Sequence, residues 1–131
     1  MQGSTPKRQS GSIEELSQLV WQHLEARDWL SDDSRGVAIS LNLEAAELLE
    51  HYQWSSTPVG GVKAVGEELA DVFIYGIQLA QQNDIDIADA IKRKIEKSAL
   101  KYPAENFKGK SKEAKRAAWL DSKLNHKKEG L

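Results

Sequence analysis

The apolar positions of this chain recur every three to four residues, which is the spacing of amphipathic helices. Four segments show the pattern: Ile13 to about Trp29, Val37 to Gln53, Val62 to Gln82 and Ile85 to Lys101. No segment alternates apolar and polar residues over a useful length, so no strand is predicted. Four helices joined by short loops predict an all-α protein built as a four-helix bundle.

The ends of these segments carry local signals. Ser12 and Glu15 form a capping box that starts the first helix,. Asn83 is expected to end the third helix in a left-handed conformation, and Pro103 stops the fourth. The apolar faces of the last three helices predict which side chains are buried: Val37, Leu41, Ala45, Leu48 and Tyr52; Val65, Leu69, Val72, Phe73, Ile77 and Ala80; Ile87, Ile91, Ile95 and Ala99.

The length of 131 residues fits one compact domain,. Residues 1–11 are polar and basic, and we expect them to be disordered. Residues 12–107 form the predicted helical domain. Residues 108–131 form a basic tail in which weaker helical spacing, from Lys112 to Leu124, allows a short helix.

Composition excludes several classes of protein. The absence of cysteine excludes disulfides, cysteine-bound zinc and a thiol nucleophile,. No apolar run approaches the ~18 residues that span a bilayer, and the polar residues 1–12 lack the apolar core of a signal peptide. We therefore expect a cytoplasmic protein that does not bind membranes.

Charge is divided along the chain. Residues 1–91 carry 5 Lys and Arg against 15 Asp and Glu, whereas residues 92–131 carry 13 against 5. An acidic body can hold divalent cations and a basic part can attract phosphate. Solvated helix faces would produce the same division, so charge alone leaves both interpretations open.

Two acidic pairs stand on consecutive helices: Glu44 with Glu47, and Glu68 with Asp71. Residues three apart project from one helix face, where like charges repel unless a cation binds between them. Oxygen-only ligands suit Mg²⁺ or Mn²⁺. Ordinary surface acids remain the alternative. A redox di-iron site is disfavoured, because no histidine follows a glutamate by three residues. His51, four residues after Glu47, is close enough along the helix to reach the edge of such a site, but we expect a surface or packing role for it.

These pairs and their neighbours resemble the MazG-like, all-α nucleoside triphosphate pyrophosphohydrolases, and within them the dCTP pyrophosphatase-like branch. The matching positions run from about residue 13 to 105. The motifs that carry the resemblance are Arg27-Asp28-Trp29, Asn42-Leu43, Glu44-x-x-Glu47-Leu48-Leu49-Glu50, Gln53-Trp54, Glu67-Glu68-Leu69-Ala70-Asp71-Val72, Ile74-Tyr75 and Lys101-Tyr102-Pro103.

The resemblance implies a helical bundle that assembles as a homodimer or homotetramer. It also implies an Mg²⁺-dependent enzyme, with Mn²⁺ as a substitute, that cleaves a nucleoside triphosphate between the α and β phosphorus atoms. The implied metal ligands are Glu44, Glu47, Glu68 and Asp71. The implied substrate contacts are Trp29, Trp54 and Tyr75 at the base and Lys94, Lys101 and Tyr102 near the phosphates.

Among the four acids, our hypothesis for the group that orients or deprotonates the attacking water is Glu47. The chain departs from the branch at two positions. It has Ser98 where the branch often has Asn, and Val20 where some members have His. Each departure changes a side chain that can contact the sugar or the base, and neither touches the acidic motif. The resemblance as a whole implies dCTP or a related pyrimidine nucleotide as the substrate.

The alternative function is a non-catalytic helical binding module. In it, the acidic helices bind a metal or a basic partner, and the basic tail from Lys108 to Lys128 contacts nucleic acid. Two stretches of like charge are too little to specify a nucleic-acid fold, so we do not expect a nucleic-acid partner. Deleting residues 108–131 discriminates the two. The enzyme would keep most of its hydrolysis, whereas the module would lose its salt-dependent binding.

Overall fold

The computed structural model describes residues 5–128, which form five α-helices and one short 3-10 turn. No strand is present in this range, so the all-α prediction is confirmed. The turn spans Ala104–Asn106. The helices are α1 (Ile13–Glu25), α2 (Ser34–Glu50), α3 (Gly61–Gln82), α4 (Ile87–Lys101) and α5 (Lys112–Lys128).

Helix α1 begins as predicted, because Ser12 Oγ accepts a hydrogen bond from the Glu15 amide over 3.2 Å. It ends earlier than predicted. Asp28 takes a left-handed conformation with φ of 57°, and the Trp29 amide turns back to the Leu24 carbonyl over 2.9 Å. This is the helix-ending pattern in which a left-handed residue closes the last turn, and it places Trp29 in a loop.

Helix α3 ends by the same device. The left-handed residue there is Asp84, with φ of 52°, and the Ile85 amide donates to the Ala80 carbonyl over 2.9 Å. Asn83 has φ of −112°, so the prediction that Asn83 would be left-handed was wrong by one residue. Aspartate resembles asparagine in tolerating this conformation.

The chain divides into two compact units, one of the described residues up to Ile87 and one of those from Ala88 onward. In the first unit, α1 and α2 both pack on α3. Its core joins Val20 and Leu24 of α1 to Ile77 of α3, and Leu30 packs against these three side chains. Helix α3 is therefore the central element that fixes the position of the other two.

Fewer apolar side chains are buried than the periodicity predicts. On α3, Ile77 and Ala80 are buried, but Phe73 is 60% exposed. On α4, Ile91 and Ile95 are exposed, against expectation. Periodicity identifies a face as apolar, but it does not say whether that face is covered by its own chain or by another.

The basic tail contains a longer helix than the sequence predicts. Helix α5 runs for 17 residues, and Ser111 begins it by accepting a hydrogen bond from the Ala114 amide over 3.1 Å. Residues 5–11 form no helix, and the rest of the segment predicted to be disordered lies outside the described residues. Within residues 5–128, no helix combines the length and apolar character that crossing a membrane requires.

Candidate metal and nucleotide site

The two acidic pairs meet between α2 and α3. One carboxylate oxygen from each of Glu44, Glu68 and Asp71 can be chosen so that all three lie within 4.8 Å of one another. The carboxyl group of Glu47 interacts with those of Glu44 and Glu68. The structure thus brings all four predicted residues together. Their role as metal ligands remains a prediction.

The crowding of these acids alters their protonation. Burial raises the pKa of Glu44 above its usual range, and the carboxyl groups of Glu47, Asp71 and Glu68 raise it further. Burial and Glu47 also raise the pKa of Glu68, whereas the imidazole of His51 acts in the opposite direction. Like charges held together in a partly desolvated place disfavour full ionisation, so a bound cation would favour the ionised form of these carboxyl groups.

The donor set fits a hard divalent cation. Glu44 Oε2 is buried and has no hydrogen-bond partner among the described residues, which is costly for a carboxylate oxygen. Two oxygens bound to one Mg²⁺ or Ca²⁺ ion lie at most about 4 to 5 Å apart, because each metal–oxygen bond is ~2.0–2.6 Å long. The spacing of the three oxygens is compatible with a shared ion.

His51 lies at the edge of this site, a position that the sequence analysis ranked below a surface or packing role. Its Nδ1 accepts a hydrogen bond from the Gly60 amide over 3.3 Å, so Nε2 carries the ring proton,. Nε2 lies 3.8 Å from Glu68 Oε1. The available signal was the spacing of four residues from Glu47, which places His51 on the same face of α2.

A cavity of about 370 Å³ adjoins the acidic cluster, and Asp71 lines it. Trp29 and Tyr75 also line it, as the resemblance implies for a base pocket. The Trp29 ring stands edge-on to that of His23, with centroids 6.0 Å apart. A base stacked on an aromatic ring gains ~1–3 kcal/mol. The remaining lining residues are His23, Leu24, Asp32, Ile74 and Gln78.

Other predicted substrate contacts lie elsewhere. Trp54 follows α2, is 86% exposed and does not line this cavity. Lys94, Lys101 and Tyr102 belong to the second unit and line another cavity of about 370 Å³, together with Lys97, Ser98, Leu100 and His126. The role predicted for these residues at the phosphates remains a prediction that rests on the resemblance.

Val20, where some members of the branch have His, belongs to the buried core of the first unit. An apolar side chain there contributes to the packing of α1 on α3. Val20 is not among the residues that line the cavity.

Comparison with known proteins relates the chain to enzymes that act on nucleotides. It is 29% identical to dCTP pyrophosphatase 1 of Mus musculus over 107 residues, which cover 75% of this chain and 63% of the mouse protein. It is 28% identical to dCTP pyrophosphatase 1 of Homo sapiens over 110 residues, which cover 77% and 65%. The chain thus spans slightly less than two thirds of these relatives.

Among solved structures, the chain is similar to a pyrophosphatase from Archaeoglobus fulgidus. The two are 34% identical with a TM-score of 0.63, and the match covers 76% of this chain and 99% of the archaeal one. The model of the MazG-like family matches residues 39–116, which include α3, α4 and all four acids of the cluster. This is more than half of the chain, and the chain belongs to the MazG-like family.

Proposed function

We propose that the protein is a nucleoside triphosphate pyrophosphohydrolase that acts on dCTP or a related pyrimidine nucleotide. The observation that carries the proposal is the position of Asp71, which belongs both to the acidic cluster and to the wall of the aromatic cavity. A nucleotide needs an aromatic surface for its base and, close by, a site for the cations that accompany its phosphates. The names of the related proteins support the same reaction.

The proposed cofactor is Mg²⁺, for which Mn²⁺ can substitute, and the proposed ligands are Glu44, Glu47, Glu68 and Asp71. Held by these residues, a divalent cation would supply Lewis-acid chemistry and neutralise part of the charge of the triphosphate. His51 is a positioning residue in this scheme. Its Nε2–H group faces Glu68 and limits the directions in which that carboxylate turns,.

In the proposed reaction, the oxygen of water attacks the α phosphorus, a choice that rests on the resemblance. The bond between this phosphorus and the oxygen that bridges to the β phosphorus breaks, which releases a nucleoside monophosphate and pyrophosphate. Glu47 accepts the proton of the attacking water. Its interaction with both Glu44 and Glu68 places it within the cluster and supports this assignment. Lys94, Lys101 and Tyr102 are proposed to bind the phosphates.

The proposed assembly is a homodimer or homotetramer. The resemblance implies it, and the exposed apolar side chains of α3 and α4 support it. Phe73 and Ile95 are each about three fifths exposed in the single chain. Side chains of this kind are commonly covered by a partner subunit.

The test is pyrophosphate release from a panel of ribo- and deoxynucleoside triphosphates, with Mg²⁺ and with a chelator. We expect Glu47→Gln to lose about 10²- to 10⁴-fold in kcat, the range for removal of a general base. Glu67→Gln is the matched control, because it makes the same change at the exposed neighbour of Glu68. It should keep nearly full activity.

Two results would contradict the proposal. One is the absence of release from every nucleotide by folded protein with Mg²⁺ present, which would favour the non-catalytic binding module. The other is equal activity in the Glu47→Gln variant and the wild type, which would remove Glu47 from the reaction.

A further inference from the structure

Asp32 and Gln78 are polar residues of the cavity lined by Trp29 and Tyr75, and the scheme so far gives them no part. Gln78 is a polar side chain in the interior of the first unit and is only 3% exposed. Its Nε2 donates to Asp32 Oδ2 over 3.5 Å, which is at the long limit for a hydrogen bond,. A buried amide held by so long a contact keeps the capacity to bond to a ligand.

The loop that carries Asp32 is fixed to α3. Gln82, one turn after Gln78, donates from Nε2 to the backbone carbonyl of Asp32 over 2.7 Å. Its Oε1 accepts from Ser34 Oγ over 3.0 Å. The hydrogen bond from Gln82 holds the backbone of Asp32. The longer contact with Gln78 leaves the Asp32 carboxylate at the cavity wall. Asp32 is therefore positioned by the fold although it lies in a loop.

The chemistry of this pair matches one class of base. A carboxylate only accepts hydrogen bonds, whereas the amide of Gln78 offers two N–H donors and one acceptor. Cytosine presents an amino donor beside a ring-nitrogen acceptor, and aspartate accepts from that amino group in known base recognition. Uracil and thymine present a carbonyl oxygen at the same place, which a carboxylate repels.

We propose that Asp32, together with Gln78, selects nucleotides whose pyrimidine carries an exocyclic amino group over those whose pyrimidine carries a carbonyl oxygen there. Asp32 accepts from the amino group, and Gln78 donates to the adjacent ring nitrogen. This proposal rests on the proposed function, because it requires that the base occupy the cavity lined by Trp29 and Tyr75.

The experiment compares kcat/KM for dCTP and dUTP in the wild type, in Asp32→Asn and in Asp33→Asn. Asparagine keeps the size of Asp32 but supplies an N–H donor, which suits the carbonyl oxygen of uracil. We expect the dCTP-to-dUTP ratio to fall about tenfold or more in Asp32→Asn, with most of the change in KM. Asp33→Asn makes the same change at the exposed adjacent residue and should keep the wild-type ratio.

Gln78→Met provides a second test, because methionine has about the same side-chain volume as glutamine and has no N–H donors. We expect it to lower kcat/KM for dCTP more than for dUTP. Because Gln78 is buried, the unfolding temperature of the Gln78→Met variant is measured in parallel. If Gln78→Met fails to fold, Asp32→Asn still decides the question.

Each outcome has a distinct meaning. A wild type that releases no pyrophosphate from either nucleotide rejects the proposed function and the base selection that rests on it. A wild type that hydrolyses nucleotides but prefers dUTP overturns the base selection alone. So does an Asp32→Asn variant whose ratio stays within twofold of wild type, or one that loses both substrates equally.

Discussion

The carboxyl group of Glu44 affects both the proposed chemistry of the site and the stability of the folded protein. Because its pKa is raised in the folded protein, the folded state binds more protons there than the unfolded state at pH values above the usual glutamate range. The contribution of this group to the free energy of unfolding is therefore most favourable at low pH, and it is lost as the pH rises through the raised pKa. In metal-free protein, ionisation of Glu44 therefore lowers the free energy of unfolding,.

We expect Glu44→Gln to unfold at a higher temperature than wild type in chelator at about pH 7, and this difference to shrink as the pH falls toward about 5. Excess Mg²⁺ should reverse the order, because only the wild type keeps the full ligand set. Thermal unfolding of both proteins across this pH range provides the measurement. A wild type that is the more stable of the two in chelator at neutral pH would contradict the expectation.

At the residue scale, the sequence predicts groups that lie close together along one helix. Spacings of three and four place Glu44 beside Glu47, and Asp71 near Tyr75. The contact between Asp32 and Gln78 joins residues 46 positions apart. It depends on how the α1–α2 loop folds back onto α3, and no local spacing encodes that path.

At the scale of elements, the connection between α2 and α3 packs against His51, which lies beside Glu68 of the acidic cluster. Gly60 stands so close to His51 that an added Cβ would lie 2.6 Å from Cε1 and 2.8 Å from Nδ1 of the ring. The Val59 amide also donates to the His51 carbonyl over 3.0 Å. The connection and the histidine thus hold each other in place.

We expect Gly60→Ala to lower the free energy of unfolding by about 1–3 kcal/mol, the usual cost of forcing extra volume into a packed place. It should also reduce activity, because the ring must move relative to Glu68. Chemical denaturation and pyrophosphate release provide the two measurements.

Gly66→Ala is the control for that experiment. An added Cβ at Gly66 has nothing within 4 Å, and alanine in a helix interior is more stable than glycine by roughly 0.5–1 kcal/mol. We therefore expect this variant to be at least as stable as wild type. Equal stability of Gly60→Ala and wild type would show that the loop accommodates the methyl group.

The existence of the helices was predictable at this scale, whereas the burial of their faces was not. Ser12 and the apolar periodicity specify α1, because a cap and a stripe are local properties. The exposure of Ile95 is not local, since it depends on which surface, if any, covers that side of α4. For helix α5, the weak periodicity predicted a short helix from Lys112 to Leu124, whereas the helix runs for 17 residues.

At the scale of the whole molecule, the apolar surface left open by one chain predicts assembly. We expect sedimentation or light scattering to give two or four times the mass of one chain. Ile95→Glu, at an exposed apolar position of α4, should shift the population toward monomer, because a charge in an apolar interface is costly.

Lys92→Glu is the matched control on the same helix, at a position that is already polar and exposed. It should leave the mass unchanged. A wild type that is monomeric at micromolar concentration would contradict the predicted assembly. So would an Ile95→Glu variant that assembles as the wild type does.

The double position of Asp71, in the acidic cluster and in the cavity wall, has a thermodynamic consequence. If base and cation share this wall, their affinities are coupled, and coupling between two ligands is reciprocal. The factor by which a bound base raises the affinity for the cation equals the factor by which the cation raises the affinity for the base. Discrimination between bases could then be measured without catalysis. The measurement compares the Mg²⁺ affinity of protein saturated with one nucleoside monophosphate with that of protein saturated with another.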